Sequence, residues 1–417
     1  MTNGKKVLII ATGSRGDVAP PAGVGARLCK AGYDVTMAAD KGFAELVEDA
    51  GMTLRPTIGD MRSAAKSELI NNVSRDGAFS RSGVKILKLL KQFFGMMNAD
   101  IARITAETDP AIVLVNPWGS AAYHVAEALG IPSIGMHLQP QQPTGELPPI
   151  VFGRSLGKVG NRVAYGVLRK LERTYFTGIN DIRAEHGLPP TTMSATYRKQ
   201  AAEYWPILHG FSSYVVPRPR DWRPGLDVTG YWWPPMPTDW TPPGGLRRFL
   251  DDGPPPVFVG LGSSNPGDVE NLSRTVTAAL RKAGRRGIIQ AGWAELSASD
   301  DDMLTIGDVP HQWLFPRMAA VVHAAGAGTT AAGLRAGVPA VPIPVTGDGP
   351  FWSSRLAALG VTPGAIRFKK LTVDGLADAV REAVTNPVYK QHAVEVTDRI
   401  RSEDGAAQVL DSVKNLT

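Results

Sequence analysis

Short runs of β-branched residues alternate with stretches of helical spacing from one end of this chain to the other. That alternation restricts the fold more than any other feature, because strands returning after a helix must pair in parallel through crossover connections. The first half predicts strands at Lys6 to Thr12, Tyr33 to Ala39, Ala111 to Asn116 and Pro132 to Leu138. The second half predicts them at Pro256 to Gly262, Gly287 to Ala291, Met303 to Ile306, Ala319 to His323 and Pro339 to Val345. Between the two lies a stretch dense in proline, from Pro217 to Pro256, that can continue neither a helix nor a central strand. We therefore expect two α/β domains, residues 1–217 and 256–388, joined by a linker over 218–255. C-terminal helices over 389–417 are expected to pack back across onto the first domain.

At 417 residues there is chain enough to bury a core in each domain. Forty-five Lys and Arg against 39 Asp and Glu leave +6, and the basic residues are scattered, which does not suggest a nucleic-acid partner. Cys29 is the sole cysteine, so no internal disulfide or cysteine-built zinc site can form. Its place in the pattern with Val24 and Leu28 reads as core packing, and its isolation fits a reducing cytoplasm. The apolar run Val7 to Ala11 is too short for a secretion signal. The stretch Met318 to Leu334 is broken by His323 and by glycines, so it does not read as a membrane span. Tyr231, Trp232, Trp233 and Trp240 in the linker read as anchors to the domains more than as ligand-stacking rings.

Two loops carry the chemistry. The first is Thr12-Gly13-Ser14-Arg15-Gly16-Asp17-Val18-Ala19-Pro20, a glycine-containing turn between a strand and the helical pattern Val24 to Leu28. Backbone N–H groups at such a place bind anions, and Asp17 either faces the cleft or merely caps the helix. Asp40 falls where a dinucleotide fold places its ribose-binding acid, but Gly13 and Gly16 have no third glycine in register, so that fingerprint is not met. The second loop is His323-Ala324-Ala325-Gly326-Ala327-Gly328-Thr329-Thr330, preceded by Val309-Pro310-His311-Gln312-Trp313-Leu314-Phe315-Pro316. An apolar strand delivering an imidazole to small residues that open a helix suits a diphosphate. Downstream, Gly347-Asp348-Gly349-Pro350-Phe351-Trp352 is a second such turn, whose Asp348 can accept from sugar hydroxyls.

In this order, these segments resemble the family 1 glycosyltransferases of GT-B fold, of the bacterial type that decorates glycopeptides and macrolides, and are similar also to sterol glucosyltransferases. The resemblance implies an α/β fold of two Rossmann-like domains whose parallel sheets face a central cleft. It implies an inverting, metal-independent transfer of a sugar from a nucleotide diphosphate donor, TDP- or UDP-linked, to a hydroxyl of an apolar natural-product or sterol-like acceptor. No cofactor beyond that co-substrate is expected. By the same resemblance Asp17 is the general base; Ser263, His323, Gly326, Gly328 and Thr329 hold the diphosphate; and Asp348 and Gly349 meet the sugar. Trp293, Val309 and His311 would border the nucleoside, and Ser14, Arg15, His137 and Gln139 the acceptor. A cytoplasmic monomer or homodimer is expected.

Two departures bear on the donor. Where the family reads His-His-Gly-Gly-Ala-Gly-Thr, Ala324 and Ala325 replace a histidine and a glycine; where it reads Gly-Asp-Gln-Pro-Phe, Gly349 removes an amide. An unpartnered buried hydroxyl is costly, so losing that amide favours a deoxysugar or amino sugar over glucose. Acceptor loops are expected over Ser63 to Gly95 and Met136 to Phe152. The basic amphipathic segment Lys85 to Met97 reads as domain core in preference to a peripheral membrane contact. The alternatives are an epimerase or oxidoreductase on a related scaffold, and a non-catalytic homologue that binds nucleotide sugar or partners another transferase.

Overall fold

A computed structural model describes residues 4–58, 81–262, 268–293, 295–298, 300–345 and 347–417. The first sheet consists of β1 (Lys6–Ile10), β2 (Asp34–Ala39), β3 (Thr53–Pro56), β4 (Ile112–Val115), β5 (Ser133–His137), β6 (Ile207–His209) and β7 (Leu226–Val228). Its order is β3-β2-β1-β4-β5-β6-β7, with every pairing parallel. The second sheet contains β8 (Val257–Gly260), β9 (Gly287–Gln290), β10 (Met303–Ile306), β11 (Ala320–His323) and β12 (Ala340–Pro342), in the parallel order β10-β9-β8-β11-β12. All nine expected strands form, most of them shorter by a residue or two, because flanking apolar residues continue into the loops.

Three strands escaped the pattern. Thr53–Pro56, Ile207–His209 and Leu226–Val228 have four, three and three residues, too few for alternation to register, and proline or glycine adjoins each. The last of them corrects the expected linker over 218–255: the first domain continues through Val228.

In both sheets the chain reverses its lateral direction beside the first strand, between β1 and β4 and between β8 and β11. Open α/β sheets bind ligands at the carboxyl ends of such a pair. The first switch point delivers Ala11 to Ser14 and Asn116; the second delivers Leu261 and His323.

Helix α1 (Arg15–Lys30) starts well before the helical pattern Val24 to Leu28 and takes in Pro20 and Pro21. Lying in its second turn, those prolines cannot donate to the carbonyls of Gly16 and Asp17, which leaves the start of the helix free of two internal bonds. Val18, Ala22 and Leu28 of α1 are buried together with β1 and β2, and Cys29 packs at the edge of that cluster. In α2 (Arg81–Thr108), Phe94, Met97 and Ile101 face the core on the other side of the first sheet, but Leu89, Leu90 and Met96 are exposed, so the segment Lys85 to Met97 is core only at its C-terminal end. The expected acceptor loop from Ser63 lies partly outside the described residues.

The linker aromatics are anchors. Trp232 is 2% exposed, its indole lies over Gly210, and its Nε1–H donates to Thr229 Oγ1 at 3.0 Å. Trp240 meets Trp313 edge-on, and the Arg335 guanidinium lies 4.2 Å over the Trp233 ring. Gly23 of α1 sits directly under the Trp233 carbonyl, leaving no room for a methyl group. Of the C-terminal helices, Pro387–Arg401 stays on the second half, where Thr397 Oγ1 donates to Leu334 O at 2.6 Å. Only Gly405–Leu416 crosses back: Val409 and Val413 join the core of α1, and Asp404 pairs with Arg27 at 3.0 Å.

This packing sets an expectation for stability. Gly23→Ala and Gly210→Ala each destabilise by ~1–3 kcal/mol through overpacking. Gly166→Ala, in open space on a helix, gains ~0.5–1 kcal/mol. Chemical denaturation of the three variants checks the ranking.

Candidate active site

The loop after β1 is locked before it reaches the cleft. Asn116, at the end of β4, donates from Nδ2 to Thr12 O at 2.8 Å and ties the two sheet ends at the switch point. Gly13 then takes φ +134, a conformation that disfavours side chains, and a Cβ there would collide with the Asp17 carboxylate. Ser14 is the N-cap of α1, and Asp17 three residues on reaches back to it. Asp17 Oδ2 accepts from the Ser14 backbone N–H at 2.8 Å and from the Ser14 hydroxyl at 2.9 Å. Among the described residues, Oδ1 takes no hydrogen bond. Burial pushes the Asp17 carboxyl above its usual range, the two Ser14 bonds oppose that, and the charge of Asp348 adds to it. Capping and facing the cleft are therefore both true of this one side chain.

In the second half β11 delivers His323, 1% exposed, to the start of its loop. The Ala325 backbone N–H donates to His323 Nδ1 at 3.1 Å, so the ring proton belongs on Nε2. Burial, then the neighbouring His311, lowers its pKa to about 3, which keeps the imidazole a neutral N–H donor. Ala325 adopts φ +59, a left-handed conformation that L-residues rarely take. Gly326 caps helix α3 (Ala327–Ala336), and Gly328 and Thr329 lie in its first turn.

The two loops meet. The position a Cβ of Gly328 would occupy is 4.0 Å from Gly16 Cα, so the first turns of α1 and α3 face each other across the cleft. Both present unpaired N–H groups and a positive pole to the same gap. Asp348, directly before helix α4 (Gly349–Ala358), closes one side of it. Its Oδ2 accepts from Trp352 Nε1–H at 2.7 Å and from Gln139 Nε2–H at 3.3 Å, the latter reaching over from the first half. Burial raises the Asp348 carboxyl, against these bonds and one from the Ala327 backbone. At Gly349 an added Cβ would lie 3.0 Å from Ala324 O and 3.1 Å from Pro344, so the loop is shaped to glycine here.

The remaining expected residues divide. Arg15, expected on the acceptor, is exposed and lies close enough to His311 for its charge to lower that ring's pKa, so it faces the second half. Ser14 is engaged by Asp17. Gln139, also expected on the acceptor, is spent on Asp348. His137 is 7% exposed, lies edge-on to His209 with ring centroids 5.6 Å apart, and is lowered by burial to about 4. Val309 is buried in the second domain's core, and His311 stacks on Phe315 at 4.2 Å. The Trp293 backbone N–H donates to Gly262 O at 3.0 Å, which brings its loop against the end of β8. Ser263 lies outside the described residues. Sequence reasoning missed Asn116 and Trp352 as positioning groups; an asparagine ending a fully apolar run was the available signal for the first.

Comparison with known proteins gives these loops a context. Residues 7–148 match the model of the glycosyltransferase family 28 N-terminal domain, and residues 289–416 that of the erythromycin biosynthesis protein CIII-like C-terminal domain. The chain is 32% identical to O-mycaminosyltylonolide 6-deoxyallosyltransferase of Streptomyces fradiae, over 96% of this chain and 94% of the relative. It is also 32% identical to sterol 3-beta-glucosyltransferase UGT80A2 of Arabidopsis thaliana over 96% of this chain, and spans 64% of that protein's length. The crystal structure of the kitacinnamycin glycotransferase superposes with TM-score 0.71 at 18% identity, covering 99% of each chain. That of VinC in complex with dTDP does so with TM-score 0.65 at 20% identity, again covering 99% of each.

Burial of histidine gives this site a pH signature. His124, His137 and His311 are lowered to about 4, His323 to about 3, and His209 lies well below its ordinary value, burial being the first cause in each. Unfolding releases these rings to a pKa near 6.5, so the unfolded chain takes up protons that the folded chain refuses. Their contribution is complete above pH ~6.5 and is lost as pH falls toward the folded values. The melting temperature is expected to drop by roughly 5 °C or more between pH 7 and 5; a flat profile there contradicts the neutral assignment.

Proposed function

This chain belongs to the family 1 glycosyltransferases of GT-B fold, and on that premise we propose that it moves a sugar from a nucleoside diphosphate donor to a hydroxyl of an apolar natural-product or sterol-like acceptor. The observation that carries this reading is the meeting of two helix N-termini at Gly16 and Gly328, with Asp17 on one wall and His323 on the other. Such a gap has the charge to hold a diphosphate and, within the same turn of α1, a carboxylate to take a proton.

In the step we propose, the acceptor hydroxyl oxygen attacks the anomeric carbon from the side facing the first half. Its proton passes to Asp17, whose carboxylate holds Ser14 through Oδ2 and presents Oδ1. The bond from the anomeric carbon to the diphosphate breaks with its electron pair leaving on phosphate, and the configuration inverts. The departing charge is met by the first-turn N–H groups of α3, by the His323 Nε2–H and by Arg15, with no metal in the step. This moves Arg15 from the acceptor to the leaving group.

For the sugar, Asp348 accepts from hydroxyls on one wall, and Gly349 offers no amide there. Gln139 brings an amide to Asp348 from the opposite half, so its role is on the donor side of the cleft. A deoxysugar or amino-sugar donor, TDP- or UDP-linked, remains our reading, and the deoxyallosyltransferase relative supports it while the sterol glucosyltransferase relatives support an apolar acceptor.

Three variants test these roles. Asp17→Asn keeps nucleoside diphosphate affinity and loses ~10²–10⁴-fold in turnover; near-normal turnover removes it as the base. His323→Ala weakens TDP or UDP binding by roughly tenfold or more, read by calorimetry, the loss of a hydrogen bond to a charged group. Gln139→Ala raises the KM for the nucleotide sugar by ~5-fold, one ordinary hydrogen bond, and leaves the KM for the acceptor unchanged; the opposite split returns it to the acceptor. A thermal-shift comparison of TDP with UDP decides the nucleotide.

A further inference from the structure

The helix Gly157–Leu171, between β5 and β6, lies outside the residues that meet at the cleft. It is apolar on two opposite faces. The inner face is anchored: Asn161 Nδ2 donates to Gly145 O at 3.0 Å, and the buried Tyr165 hydroxyl donates to Pro140 O at 3.2 Å. The outer face carries Val159, Val163 and Val167, at 77%, 61% and 55% exposure, in a row spaced four residues apart. The turn leading into it adds Val151, Phe152 and Leu156, all more than a third exposed. Single exposed apolar residues are ordinary, but six between Val151 and Val167 are not.

The charge around this row is one-sided. From Leu147 to Leu171 there is no Asp or Glu, against Arg154, Lys158, Arg162, Arg169 and Lys170. Arg162 is paired with Asp221 at 2.7 Å and Arg169 lies over the Tyr197 ring. Arg154, Lys158 and Lys170 are exposed and make no ion pair among the described residues.

From this surface we propose that the helix Gly157–Leu171 and the turn before it dock the protein on an anionic lipid bilayer. A row of valines flanked by cations matches acyl chains bordered by phosphates, the arrangement by which an amphipathic helix lies in a membrane interface. A second copy of the chain fits the same surface poorly, because two-fold pairing sets the unpaired Arg154, Lys158 and Lys170 against their own copies. The surface also borders the cleft: the place of a Gly153 Cβ is 3.2 Å from Pro350 O, two residues beyond Asp348. Docking there presents the cleft mouth to molecules dissolved in the bilayer. That use rests on the transfer reading above, whereas the docking itself stands on exposure and charge alone.

Sedimentation with vesicles separates the two. The full chain is expected to sediment with vesicles of phosphatidylcholine mixed with phosphatidylglycerol, to stay largely free of pure phosphatidylcholine, and to be released by salt. The triple variant V159S/V163S/V167S and the double variant R154E/K158E each lower the partition by at least about tenfold. Both keep the parent's melting temperature, since all five side chains are exposed. Failure to bind anionic vesicles overturns the proposal, as does equal binding by parent and variants. So does a dimer in light scattering that the triple valine variant dissolves without changing vesicle partition. The melting response to TDP or UDP, measured on the same samples, reads the transfer assignment separately, so either can fail while the other stands.

Discussion

Two helix N-termini aimed into one gap form a repulsive arrangement, and the site is organised around it. Each pole carries about half a positive charge on its unpaired N–H groups. Negative charge between them relieves the repulsion, and Asp17 and Asp348 provide it from opposite halves of the protein. These carboxylates are themselves poorly solvated, which explains why burial raises both of them despite the donors around each. Gln139, donating to Asp348 from the other half, ties the two halves at this gap.

Most of this was legible in one dimension. The strand and helix alternation placed both sheets, and the two loops singled out by their glycines are the ones that meet. What stayed hidden depends on distances between residues far apart in the chain. Gln139 read as an acceptor contact because it follows a strand of the first half, yet 209 residues separate it from the carboxylate it bonds. Arg15 read the same way for the same reason. The helical pattern was legible only from Val24 to Leu28, but α1 takes in Pro20 and Pro21 in its second turn because the capping pair Ser14 and Asp17 begins it earlier. The short strands β6 and β7 form because a sheet edge was waiting for them, a tertiary cause with no local signature.

The two departures from the family pattern have different physical weight. At position 325 the loop retains a left-handed backbone although alanine disfavours it, so the geometry that turns the Ala325 N–H onto His323 Nδ1 is imposed by the surroundings. The methyl is fully buried in the cluster containing Phe351 and Trp352, which ties the loop to α4. At position 349 the opposite holds: the backbone is unremarkable and the space is tight, with Ala324 O and Pro344 against it. One substitution stores strain, and the other removes a side chain at a place where the loop is tight.

The chain passes between its halves in two places, and these lie side by side. Gly230, with φ +93 in the linker, has Glu403 against its α-carbon, while Gly405 at the start of the last helix sits on the Gly230 carbonyl with no room for a methyl. Ser212 Oγ donates to Glu403 Oε1 at 2.7 Å and pins the same spot to the first half. Two adjacent covalent strands cannot slide past each other or unwind without tearing that contact. The halves are therefore tied by two adjacent lengths of chain held to one another. The buried cluster that joins Phe211 and Trp222 of the first half to Phe351 and Trp352 of the second adds a packed seam to that double tether.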